Sequence, residues 1–104
     1  MSLKNQPELI EEYKFWHRTE NIWPDIPKGI KDIGVLDMEI YVSGNLLFMI
    51  VEVPFDFEWD VAFGRLATLE RQAEWEAFMA KFQQCDPVAA SSDKWTKMER
   101  IFKL

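Results

Sequence analysis

The stretch from Leu36 to Val53 limits the fold of this chain more than any other. Leu36, Met38, Ile40 and Val42 alternate with Asp37, Glu39 and Tyr41, the period of a strand with one buried face. Gly44-Asn45 then marks a hairpin turn. Leu46 to Val53 is almost unbroken apolar sequence, as expected of a central strand, and Pro54 ends it because proline cannot donate to a ladder. A two-stranded ribbon is barely stable alone in water. Its apolar face needs a cover, and most of the remaining chain reads as helix.

Pro7 suits the first turn of a helix, with Asn5 as its candidate cap. Leu9, Tyr13, Trp16 and His17 follow at helical spacing on one stripe. Pro24 and Pro27 interrupt the pattern. Trp23, Ile26, Ile30 and Ile33 resume it, which predicts a second helix from Pro24 to Asp32, stopped at Gly34. Asp56 is expected to cap a short helix carrying Trp59, Phe63 and Leu66. Thr68 is expected to cap a longer one carrying Gln72, Trp75, Met79 and Phe82. Gln84 to Asp93 reads as a loop, and Met98 to Leu104 alternates as a closing strand would. The order helix, strand, strand, helix, strand fits an α+β ferredoxin-like plan over residues 1–104, with the first strand missing or reduced to Ser2-Leu3-Lys4.

A chain of 104 residues has room for one domain. Its formal net charge of -6 argues against nucleic acid, which needs a basic face, and against an anionic membrane surface. A neutral small molecule is compatible with that charge. Cys85 is the only cysteine, so no internal disulfide forms, and a reducing, cytoplasmic setting is expected. One Cys and one His, far apart, do not predict a metal site. Met1 to Pro7 is short and polar, unlike a signal peptide, and the apolar run Leu46–Val51 is too short to span a bilayer.

Few residues offer chemistry. His17 can exchange protons near neutral pH, and Tyr13 lies one helical turn earlier, so both can face one cavity. Spacing alone favours the plainer reading, two amphipathic residues at the rim of a core helix. The tryptophans Trp16, Trp23, Trp59, Trp75 and Trp95 could stack on sugar rings, but core filling accounts for most of them. Trp75 in particular shares a stripe with Met79 and Phe82. Asp37, Glu39 and Tyr41 read more simply as the polar face of a strand than as an acid-base set. Cys85 has no basic neighbour in sequence and reads as inert. No phosphate loop and no nucleophile-histidine-acid order is present.

Several blocks nevertheless occur in a familiar order. They are Glu12-Tyr13 with His17 four residues on, Ile22-Trp23-Pro24, Ile40-Tyr41, Asn45-Leu46-Leu47-Phe48 and Val51-Glu52-Val53. Trp75 with Met79 and the closing Met98-Glu99-Arg100-Ile101-Phe102 complete the series. In these the chain resembles the L-rhamnose mutarotase family, and around Arg71–Glu76 it is similar to members associated with L-fucose use. The resemblance implies interconversion of the α and β anomers of a free deoxyhexose, with no cofactor. It implies His17 as the proton-transfer residue, Tyr13 and Trp75 against the sugar, and Tyr41 and Trp23 as further substrate-binding candidates. It also implies a homodimer built as a ferredoxin-like dimeric α+β barrel, whose partner could cover the edge left by the shortened first strand. Two departures concern the sugar. A tyrosine often found in the first hairpin strand is Met38 here, and a second tryptophan after Trp75 is Glu76. The competing readings are a non-catalytic small-ligand-binding module of the same fold and a cofactor-free oxygenase.

Overall fold

The computed structural model describes residues 1–104. The hairpin forms as its period dictates: β1 (Asp37–Ser43) pairs antiparallel with β2 (Leu46–Glu52), from Asp37 opposite Glu52 to Ser43 opposite Leu46. Gly44 makes the turn at φ +60, where an L side chain would be strained. Pairing Met38 with Val51, Ile40 with Met49 and Val42 with Leu47 puts these six side chains on one face. Tyr41, Phe48, Leu46 and Ile50 take the other. The first face is the better covered: Leu47 is 3% exposed and Ile40 and Val42 are 37% exposed, whereas Ile50 on the other face is 60% exposed.

The helices are α1 (Pro7–Trp16), α2 (Asp25–Asp32), α3 (Trp59–Leu66), α4 (Gln72–Met79) and the single turn α5 (Ser91–Lys94). The architecture is α+β and consistent with a ferredoxin-like fold. Gly34 ends α2 as expected, at φ +102 with its N–H donating to the Lys31 carbonyl. The buried side chains form two clusters. Leu3, Tyr13, Ile26, Leu47, Trp75, Met79 and Phe82 make the larger, and Ile33, Val35, Phe63 and Leu66 the smaller. Ile30 packs against both. No helix is long and apolar enough to cross a membrane.

Several sequence expectations need correction. α1 starts from Gln6 rather than Asn5, α3 from Glu58 rather than Asp56, and none of these residues caps with its side chain. Thr68 does not open α4. Its hydroxyl donates back to the Arg65 carbonyl at 2.7 Å, satisfying the end of α3, and α4 starts from Arg71 at φ 64. The stretch read as a loop, Gln84 to Asp93, runs into α5, which begins at Ser91. The first strand is reduced to single bridges, Ser2 to Leu46 and Leu3 to Gln83, with Leu3 wholly buried between them. Met98 to Leu104 forms no strand: Met98 is 75% exposed and Ile101 91% exposed. Alternation gives that segment a face but not a ladder, and no strand of this chain pairs with it.

Candidate active site

The site is assembled where α1 ends above the larger cluster. Tyr13 lies on the inward stripe of α1, and its phenol is 4% exposed. His17 is the first residue past the helix, and its backbone N–H closes the last turn onto the carbonyls of Lys14 and Phe15. The imidazole folds back so that Nδ1 lies 2.7 Å from the Tyr13 carbonyl oxygen. A carbonyl only accepts, so Nδ1 carries the proton and donates it, which leaves the lone pair of Nε2 free. The ring packs 4.1 Å from the Tyr13 ring and edge-on to Trp75 at 5.5 Å.

Burial lowers the His17 pKa from 6.5, opposed by the hydrogen bond to Tyr13 and by the charge of Glu76. The imidazole is therefore neutral at neutral pH and able to accept a proton. Burial pushes Tyr13 the other way, from 10.0 to about 12, with the Gln83 hydrogen bond opposing and Glu76 adding. Its hydroxyl keeps its proton throughout the physiological range and acts as a donor rather than a base.

His17 borders two spaces that share part of their lining. A chamber of about 90 Å³ lies inward, lined among others by Tyr13, Trp75, Glu76 and Gln83. A cleft of about 330 Å³ lies outward between α2 and β1, with Lys31 and Asp37 on its wall. Ile22, Ile30, Met38 and Ile40 line both. The cleft alone reaches the ~300 Å³ lower bound of small-molecule sites, and the chamber extends it inward. A further cavity of about 310 Å³ lies beyond Gln72 and Glu76, against Pro87–Ser91, and does not touch His17.

The sequence brought Glu76 forward only as a lost tryptophan. In the structure its carboxylate is held in the chamber wall by two elements. Lys94 of α5 donates to Oε2 at 2.7 Å and to the Glu76 carbonyl at 2.8 Å, while Gln72 donates to Oε1 at 2.9 Å. The Lys94 side chain is fully buried. No local signal marks this pair, because Lys94 is distant in sequence and lies just past the stretch read as a loop.

The structure therefore brings Tyr13, His17 and Trp75 together. Trp23 sits one layer back and lines neither space. It stacks on Phe78 at 5.7 Å, meets Trp75 edge-on at 5.1 Å and carries the Arg71 guanidinium 4.2 Å from its ring, so it buttresses Trp75. Tyr41 is not brought to the site. Strand alternation turns it to the open face, where its hydroxyl donates to Glu39 at 2.6 Å. Cys85 meets only the Gln83 amide oxygen, at 3.8 Å. No three His, Cys, Asp or Glu side chains converge, so the chain presents no ready ligand set for a metal.

Comparison with known proteins matches residues 1–104 to a family model described as L-rhamnose mutarotase. An L-fucose mutarotase of Xanthomonas campestris pv. campestris is 34% identical over the whole of this chain and 83% of its own length. An L-rhamnose mutarotase of Escherichia fergusonii is 27% identical over 94% of this chain and 88% of its own. One from Clostridium beijerinckii is 32% identical over 74% of this chain and 70% of its own.

Proposed function

This chain belongs to the L-rhamnose mutarotase family, and from that premise we propose that it interconverts the α and β anomers of a free deoxyhexose, with His17 as the proton-transfer residue. One observation carries the assignment: Nδ1 is committed to the Tyr13 carbonyl, which leaves a neutral imidazole with Nε2 as a free base at the border of the cleft and the small chamber.

The reaction needs little more. Nε2 takes the proton of the anomeric hydroxyl as the C1–O5 bond breaks, and O5 gains a proton from the Tyr13 hydroxyl or a bound water. The product is the open aldehyde. Rotation about C1–C2 presents the other carbonyl face, and the same transfers run backward to close the ring as the other anomer. No electrons are exchanged and no covalent bond to the protein forms. General acid-base help contributes roughly 10²- to 10⁴-fold, which is useful for a reaction that already proceeds slowly in water. Trp75 supplies an aromatic surface for the apolar side of the sugar. Trp23 holds Trp75 in place.

The outward face of the hairpin supports a homodimer. Tyr41, Leu46, Phe48 and Ile50 are all exposed on it, and a second copy would bury them. In such a dimer Tyr41 would belong to the interface. A reducing, cytoplasmic compartment suits the single free cysteine. No feature of the site favours the non-catalytic module or the oxygenase.

The test is NMR exchange between the anomers of L-fucose and of L-rhamnose. Acceleration is expected with at least one of them at catalytic protein concentration. Exchange at the uncatalysed rate with both would sink the proposal.

A further inference from the structure

We propose that Glu76 accepts a hydrogen bond from a ring hydroxyl of the substrate and so sets which deoxyhexose the site takes; the identity of the ligand class rests on the mutarotase reading above. The geometry of the carboxylate supports this. Two carboxylate oxygens offer about four acceptor positions. Gln72 uses one on Oε1 and Lys94 one on Oε2, so acceptor capacity is left over.

Within the ion pair, Glu76 is the accessible member. Its side chain is 14% exposed, while that of Lys94 is 0% exposed. Lys94 grips both the carboxylate and the backbone carbonyl of the same residue. The acceptor is therefore fixed before any ligand arrives, which reduces the ordering cost of binding.

The surroundings raise the value of that acceptor. Ile22, Ile26, Ile30, Met38, Ile40 and Met49 give the chamber much of its wall and cannot bond a hydroxyl. A polyol entering it leaves water behind, and Glu76 is the only carboxylate among the polar groups it meets there, which also include Tyr13, His17, Gln72, Gln83 and Ser91. Glu76, His17 and Tyr13 line the same chamber, so a hydroxyl bound to Glu76 occupies the space that the proton-transfer group borders. A structural role alone accounts poorly for the pair, since a buried ion pair often stabilises no better than apolar residues of similar volume. Sites that bond a specific hydroxyl reject analogues lacking it, because the buried acceptor is left short of a partner.

Methyl glycosides test the idea without relying on turnover, because they cannot change anomer. Isothermal titration would compare the methyl glycoside of the preferred sugar with each singly deoxygenated analogue, on wild type and on Glu76→Gln. Wild type is expected to bind one analogue about 10- to 100-fold more weakly than the parent, the size of one charge-assisted hydrogen bond. In Glu76→Gln that gap should shrink while the others persist. A Lys94→Met variant reads the structural alternative. If Glu76→Gln and Lys94→Met both lower Tm and weaken every glycoside by one common factor, Glu76 only maintains the fold and the proposal is wrong. No binding of any glycoside also overturns it. Anomer exchange run beside the titration separates the two readings. Exchange with no Glu76-dependent gap leaves the mutarotase standing without this residue. A Glu76-dependent gap without exchange keeps the residue and removes the mutarotase.

Discussion

The two buried clusters are built from similar side chains and differ in what borders them. Ile33, Val35, Phe63 and Leu66 pack with partly buried Met38, Val51, Val53, Phe57 and Trp59 and carry no titratable group of their own. The larger cluster contains Tyr13 and Trp75 and is bordered by His17, Gln72, Glu76, Gln83 and Lys94. Every buried side-chain nitrogen and oxygen there has a hydrogen-bond partner. Polar groups taken out of water without partners would cost roughly 1–3 kcal/mol each. Satisfied, they become fixed donors and acceptors beside an open space. One cluster holds the fold together, and the other does so while presenting chemistry.

His17→Gln should separate these roles most sharply. The side chain is only half-buried, and an amide can still reach the Tyr13 carbonyl, so the fold should persist. Anomer exchange should fall by roughly 10²- to 10⁴-fold, the range of a lost general base. An exchange rate within a few-fold of wild type would remove His17 from the mechanism.

Leu66→Ala is the matching change in the other cluster. Leu66 is 2% exposed, and its truncation should cost about 2–5 kcal/mol by leaving a cavity. Denaturant unfolding would read that loss, while exchange per folded molecule should stay close to wild type. Leu66 also borders the inner chamber, so a selective loss of exchange in a fully folded Leu66→Ala protein would show that the two clusters are not separable.

The same contrast explains what the sequence made legible. Strand period and turn residues placed the hairpin almost to the residue, because alternation from Leu36 to Val42 has one physical cause. Helical spacing put Tyr13 and His17 on one stripe, yet only the resemblance raised them above core-rim residues. Alternation had already turned Tyr41 away from Met38, and the structure agrees with the alternation. Glu76 was out of reach, since its meaning depends on Lys94 arriving from another element. The closing strand failed for a related reason: Met98 to Leu104 has the pattern of a strand, but a strand is completed only by a neighbour.

The finest distinction between the clusters is pH. Burial holds the folded-state pKa of His17 below its ordinary 6.5, while the unfolded chain keeps that ordinary value. Above 6.5 both states are neutral at this residue, and stability is level with respect to it. As pH falls below 6.5 the unfolded chain binds the proton first, so stability declines until the folded-state value is passed. The same lowered pKa should move the acid fall of anomer exchange to below 6.5. Chemical denaturation and anomer exchange measured over that range, on wild type and Leu66→Ala, should show the same pH dependence in both, because the smaller cluster contributes no titrating group. Exchange that instead halves at 6.5 in wild type would mean that His17 titrates like a solvated imidazole, and the buried base would have to be abandoned.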